Sequence, residues 1–188
     1  MKRHKKKLAV LISSVMLLCW LMNSCVNMAE GIPEGITPVS DFDKNKYLGK
    51  WYEVARLDNK FERGLSEVSA EYSVREDGGV KVLNRGYNEE KGEWKEAEGK
   101  AYFVDSDDVG HLKVSFFGPF YGSYVVFDLD KKDYQYAYIT SYKKDLLWFL
   151  SRKPVVTEKE RQRFIDRARQ DGFNTDELIF VEHGKVNQ

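Results

Sequence analysis

The chain has 188 residues, 42% hydrophobic and 32% charged, with 30 basic side chains balancing 30 acidic ones. That length supports one well-buried domain, and with no basic excess a nucleic-acid partner is excluded on electrostatic grounds. Both cysteines, Cys19 and Cys25, lie near the N-terminus, which excludes a disulfide framework for the rest.

Lys2, Arg3, Lys5, Lys6 and Lys7 form a basic start, and Leu8 to Trp20 is apolar apart from Ser13 and Ser14. The apolar run is shorter than the roughly 20 residues of a spanning helix and reads as a secretory signal. "LMNSC" then ends at Cys25. It resembles a bacterial lipobox, in which the cysteine thiol receives diacylglycerol; the other reading is a plain signal peptide with an incidental cysteine. The resulting division is a signal peptide over 1–24, a lipidated tether over 25–40 and a domain over 41–188. Loss of residues 1–24 removes five basic and no acidic side chains, leaving a net charge of −5. The tether, "NMAEGIPEGITPVS", has two prolines and several turn formers.

From Trp51 the dominant period is two. "EVSAEYSVRED" puts Val68, Ala70, Tyr72 and Val74 on one face and Ser69, Glu71, Ser73 and Arg75 on the other. "DGG" at 77–79 is a hairpin turn. "VKVLNRGY", "EGKAYFVD", "HLKVSFF", "SYVVFDLD", "YQYAYITSY" and "LLWFLSRKP" follow, separated by short turn-rich links. Eight strands of roughly 6–10 residues with short links predict an antiparallel up-and-down barrel. One helix comes after Pro154, with Thr157 and Glu160 spaced as a capping box. Its narrow apolar stripe, Phe164, Ile165 and Ala168, predicts a helix packed outside the barrel. "ELIFVEH" reads as a short terminal strand. The fold class is therefore all-β, an eight-stranded up-and-down antiparallel barrel with one C-terminal α-helix outside.

Strand parity places the ends. The start of the first strand and the end of the eighth share one end of a closed barrel, so Trp51 and Arg152 should meet as a guanidinium over an indole. The opposite, open end receives "DNKFERGLSE", "NEEKGEWKE", "FGPFYG" and "SYKKD", which bring Phe61, Trp94, Phe120, Tyr121 and Tyr142 to the mouth, with Trp148 close by.

Gly49-Lys50-Trp51-Tyr52 matches the G-x-W signature of the lipocalin family, and Arg152 matches that family's arginine after the last strand. "KDYQYAY" keeps Asp133 and Tyr134 of a further family motif, with Lys132 where threonine is usual. "YLGKWYEVARLDNKFERGL", "EGKAYF", "LKVSFFGPFYG" and "LWFLSRKP" resemble the family's bacterial outer-membrane branch, related to apolipoprotein D, over residues 40–183. The resemblance implies a calyx that binds fatty acids or lysophospholipids at the bacterial outer membrane, with lipid storage, transport or envelope repair under stress as its role.

Candidate ligand-binding residues are Ala55, Val68, Ala70, Tyr72, Val82, Asn84, Leu112, Val114, Phe116, Tyr124, Val126, Trp148 and Leu150; in a filled barrel the apolar ones would simply be core. Asn84 continues the Val80, Val82 face inward, either toward a headgroup or toward a neighbouring side chain. Trp51 and Arg152 are assigned to structure, closing the barrel base. The rim aromatics read as a membrane-touching surface, a homodimer contact or ordinary loop anchors, with Trp148 the candidate for a portal or dimer role. Arg63, Lys143 and Lys144 sit in the same links, as lipid-phosphate partners or as solvated charges. His111 and His183 occur in unrelated contexts, and no nucleophile elbow or metal-ligand spacing is present. No enzyme activity, cofactor or metal is expected.

Overall fold

The computed structural model describes residues 28–185, and Cys25 with the stretch read as a signal peptide lies outside them. A short helix, α1 (Lys44–Tyr47), precedes eight barrel strands: β1 (Gly49–Leu57), β2 (Leu65–Val74), β3 (Val80–Asn88), β4 (Glu93–Phe103), β5 (His111–Phe117), β6 (Phe120–Leu129), β7 (Tyr136–Thr140) and β8 (Leu147–Ser151). Helix α2 (Glu158–Gln170) and a three-residue strand, β9 (Leu178–Phe180), complete the chain. Each strand pairs antiparallel with its sequence neighbour, and β8 pairs back to β1, which closes the barrel.

The closure is not uniform along β1. Its first residues, Gly49 to Tyr52, pair with Tyr72 to Ser69 of β2. Further along, Ala55 to Leu57 pair instead with β9. Strand β2 shifts register between Ser66 and Ser69, where Glu67 adopts φ 52, so β1 and β2 part toward the mouth. The C-terminal segment fills the gap: Val181 N–H donates to Val54 O at 2.9 Å and Glu67 N–H to Glu182 O at 3.0 Å. The terminal strand thus acts as a ninth stave that satisfies an otherwise unpaired edge.

Two apolar clusters share the barrel wall. The inner one joins Trp51, Ala70, Tyr72, Val82, Leu112, Ile139 and Leu150 with Phe42, Tyr47 and Tyr134. The outer one lies beneath α2, where Phe164 and Ala168 are fully buried against Tyr138, Phe149 and Phe127. Helix α2 opens with a capping box: Glu160 N–H donates to Thr157 Oγ1 at 3.3 Å, and Thr157 N–H to Glu160 Oε2 at 2.7 Å. The stretch read as a tether is docked from Glu30 onward. Ile36 is buried in the outer cluster, and Val39 N–H donates to Val126 O at 2.9 Å.

The barrel base is organised by one side chain. Arg152 lies with its guanidinium carbon 3.8 Å from the Trp51 ring centroid. It donates from Nε to Tyr134 O at 3.2 Å, from Nη1 to Lys50 O at 2.9 Å, and from Nη2 to Lys46 O at 2.7 Å and Leu48 O at 2.9 Å. Trp51 Nε1 in turn donates to Tyr47 O at 2.8 Å. Gly49 has φ +90 at this crossing, a conformation open to glycine without a Cβ penalty. Arg152→Ala should lower the unfolding free energy by about 3 kcal/mol, since several carbonyls lose a charged donor. Arg152→Lys should recover less than half of that in urea titrations, because an ammonium cannot fan across carbonyls as a guanidinium does.

Candidate ligand-binding site

Inward-facing residues of β1 to β8 enclose a cavity of about 140 Å³, several times the roughly 10–15 Å³ that admits one water. The barrel is therefore not filled by its own side chains. Val68, Ala70, Tyr72, Val82, Asn84, Leu112, Val114, Phe116, Tyr124, Trp148 and Leu150 all line it, while Phe42, Tyr47 and Leu48 bound it from below. Gly99 keeps part of this room: a Cβ there would meet the Phe116 ring at 2.8 Å.

Two of the residues expected to line the cavity do not. Ala55 lies in the outer cluster beneath α2, because β1 carries a bulge: Glu53 faces Leu150 but Ala55 faces Phe149. One extra residue, Val54, reverses the parity of everything after it. Val126 faces inward but is packed into the floor with Trp51 and Leu129, where Val39 and Gly110 cross its backbone.

The same bulge turns Arg56 inward beside Glu53, which alternation from Trp51 already places on that face. Glu53 and Arg56 are each only 2% exposed, and Arg56 Nη1 donates to Glu53 Oε1 at 2.7 Å. Arg56 Nη2 also donates to Glu62 O at 2.9 Å and Leu65 O at 3.2 Å, tying the β1–β2 link to the wall. Glu62 reaches back into the cavity and accepts from Trp148 Nε1 at 2.9 Å and Asn59 Nδ2 at 2.6 Å. Burial, and then the adjacent Glu62 charge, push the Glu53 carboxyl well above the usual carboxylate range in spite of Arg56. Arg56 Nε and Asn84 Oδ1 are buried with no hydrogen-bond partner among the described residues.

A second polar group lies lower down. Tyr47 Oη and Tyr124 Oη are 2.6 Å apart, and Tyr72 Oη is 2.9 Å from Tyr124 Oη. Burial pushes the Tyr72 phenol up to about 12 and raises Tyr47 and Tyr124 as well. These phenols stay neutral and serve only as hydrogen-bonding groups.

Sequence reasoning missed Glu53, Glu62, Tyr47 and Phe42. Glu53 is two residues after Trp51, so alternation alone put a carboxylate on the inner face. Tyr47 and Phe42 precede the first strand and carry no periodic signal.

The rim is sparser than the sequence suggested. Phe61, Phe117 and Phe120 are 69%, 75% and 71% exposed. Trp94 instead lies on the outer wall, 5.5 Å from Tyr87 and 4.2 Å from the Arg85 guanidinium. Tyr121 is on the outer wall too, 6.4 Å from Tyr102. Arg63 is paired with Asp58, Lys143 lies 5.2 Å from the Tyr142 ring, and Lys144 extends toward Gly35 and Gly172.

The two histidines are on separate walls. His111 faces Ser123 Oγ at 3.3 Å, and His183 Nε2 donates to Glu53 O at 2.8 Å. Among the described residues no group of three or more His, Cys, Asp or Glu side chains is arranged to hold a metal ion.

A family model described as a lipocalin-like domain matches residues 42–183. The chain belongs to the lipocalin family. This lipocalin is 60% identical, over 86% of its length, to the Outer membrane lipoprotein Blc of Vibrio cholerae, covering 92% of that protein. It is 47% identical to the Outer membrane lipoprotein Blc of Escherichia coli, over 80% of this chain and 84% of that one. Apolipoprotein D of Bos taurus is 36% identical over 63% of this chain and 66% of its own. Among solved structures, insecticyanin of Manduca sexta superposes with a TM-score of 0.67 at 22% identity, covering 83% of this lipocalin and 88% of that chain. None of these proteins bears an enzyme's name.

Glu62→Gln removes the charge beside Glu53 but keeps an oxygen for Trp148. The folded wild-type lipocalin holds a proton on Glu53 that the unfolded chain releases above the ordinary value of 4.5. Folding takes up that proton, so this contribution to stability falls as pH rises above 4.5. The stability of the wild type relative to Glu62→Gln should therefore decline as pH rises above 4.5 in urea titrations. A difference independent of pH would show that the two carboxyls do not interact.

Proposed function

We propose that this lipocalin is a lipid-anchored bacterial outer-membrane protein that holds one fatty acid or lysophospholipid in its calyx. It stores or carries such lipids in the cell envelope, including under envelope stress. The observation that carries the reading is the cavity: a closed floor, apolar walls, and a small polar group of Glu53, Glu62, Asn84 and Trp148 nearer the mouth. An acyl chain suits the walls, because each methylene removed from water contributes about 0.8 kcal/mol. The headgroup lies among the polar side chains, where Asn84 Oδ1 and the Glu62 carboxylate have capacity for further hydrogen bonds. The function is read as binding and not catalysis: His111 and His183 sit on separate walls and are held by unrelated partners, Ser123 Oγ and Glu53 O.

Lipid extracted from gently purified protein should be found by mass spectrometry, and a fluorescent fatty acid should bind saturably and be displaced by lysophospholipid. Val114→Trp, which fills the middle of the cavity, should weaken that binding at least about tenfold, a loss of about 1.4 kcal/mol. Unchanged affinity in that variant, or no saturable binding by the wild type, would overturn the calyx reading.

The anchor is assigned to Cys25, five residues before Glu30. Cys25→Ala should abolish partitioning into the detergent phase and leave the protein in the aqueous phase. A variant that still partitions would refute acylation at that cysteine.

A further inference from the structure

Tracing the anchor to the barrel leads to a single flank. Glu30 accepts from Lys113 Nζ at 2.7 Å, and Lys113 stands on the outer face of β5 beside Ser123 of β6. Cys25 and Glu30 are five positions apart, so an acyl group on Cys25 is at most about 17 Å of extended chain from Glu30, which is bound to the β5 wall. Such a leash cannot hold the barrel away from the bilayer. It brings the β5–β6 side of the barrel to the membrane surface.

Exposed aromatic side chains gather at the mouth, two of them on this flank. Following β5 from Lys113 toward the mouth, Phe117 is four residues on, about 13 Å along the strand. It pairs with Phe120 across the Gly118–Pro119 tip, and both rings project into solvent. Phe61, the third exposed ring, belongs to the β1–β2 link at the same end of the barrel. Met28 and Ile32, in the segment leading to the anchor, are exposed as well. Exposed valines at the opposite end, Val74 and Val155, are single residues beside turns and form no such set. Large apolar side chains held in water on one rim are costly unless something covers them, and the leash supplies a lipid surface within reach.

We infer that the mouth of this lipocalin is turned onto its own membrane, with Phe117, Phe120 and Phe61 seated in the bilayer interface. The inference rests on the lipid-anchored reading proposed above and adds an orientation to it. The calyx then opens directly onto the lipids, and a single-chain lipid moves between bilayer and cavity without crossing water. The covering partner is the lipid surface and not a second copy, because the leash already fixes the bilayer beside this hairpin. The interfacial rings supplement the anchor, as aromatic side chains do where one face is wet and the other apolar.

The mature chain contains no cysteine other than Cys25, so single cysteines placed elsewhere report on one site each. Acylated Phe120→Cys and Val155→Cys proteins would be labelled with a nitrobenzoxadiazole dye and reconstituted into phosphatidylethanolamine–phosphatidylglycerol vesicles. The dye at position 120 should brighten about threefold or more and shift to the blue, while the dye at 155 should stay as it is in buffer. Equal signals at the two positions, or a larger one at 155, would overturn the orientation. Brightening at 120 that grows with protein density, together with energy transfer between labelled copies, would overturn it too and assign the rim to a homodimer. Labelling of the unsubstituted protein would reveal a free Cys25 and so overturn the anchor, a failure distinct from that of the orientation. Displacement of the fluorescent fatty acid tests the calyx independently of all these outcomes.

Discussion

Everything above the floor depends on how one guanidinium closes the barrel. Arg152 covers the Trp51 ring and donates to carbonyls of β1, α1 and the segment before β7. Those carbonyls belong to chain that is entering the sheet at the barrel base. A planar cation with five donors satisfies them together, which no neutral side chain does. The arrangement fixes α1, and α1 fixes Tyr47 as the plug whose carbonyl receives the Trp51 indole N–H. The cavity has a floor because these groups are tied to one another rather than to water.

The opposite end owes its character to irregularities. A regular β1 would have carried Ala55 inward and left Arg56 on the outside. The bulge at Val54 exchanges them, so that a guanidinium joins the carboxyls of Glu53 and Glu62 at an otherwise apolar wall. Buried ion pairs seldom increase stability over apolar packing of the same volume. A second shift, at Glu67 of β2, opens the edge that the C-terminal segment then fills. These two departures from regular pairing lie in the mouth half of the barrel; toward the floor Gly49 to Tyr52 follow a regular register, although β6 shifts against β7 between Val126 and Asp128.

The parts of the fold that repeat were legible in the sequence. Alternation at period two marked the strands, short turn-rich links set their antiparallel order, and parity alone brought Trp51 to Arg152. Thr157 and Glu160 announced the helix through the chemistry of its cap. What escaped were single-residue events. The run Val54-Ala55 is apolar at both positions, so nothing in its pattern tells which side chain is the extra one. Phe116 and Phe117 pose the same problem, and a shift in β5 sends one ring into the cavity and the other to the rim. Trp94 was misplaced for a different reason: strand β4 begins one residue before it, so its ring belongs to the outer wall. Tyr47 acts from outside the strands altogether, where no period exists to reveal it.

The two polar groups of the calyx differ in kind, and the difference gives the cavity a direction. Near the floor are three phenols whose protons are held by burial, able to exchange hydrogen bonds with neutral oxygen but not to balance a charge. Nearer the mouth are Glu53, Arg56 and Glu62, a guanidinium and two carboxyls already assembled out of bulk water. A charged headgroup carried to the floor would lose its hydration with only phenols in return, a cost of several kcal/mol. Held at the upper group it keeps polar partners and proximity to solvent. In the proposed reading, an amphiphile enters tail first and stops with its polar end close to Glu62 and Trp148. That pose leaves the headgroup at the height where Phe117 and Phe120 would meet a bilayer, so the polarity of the cavity and the exposure of the rim describe the same path for a lipid.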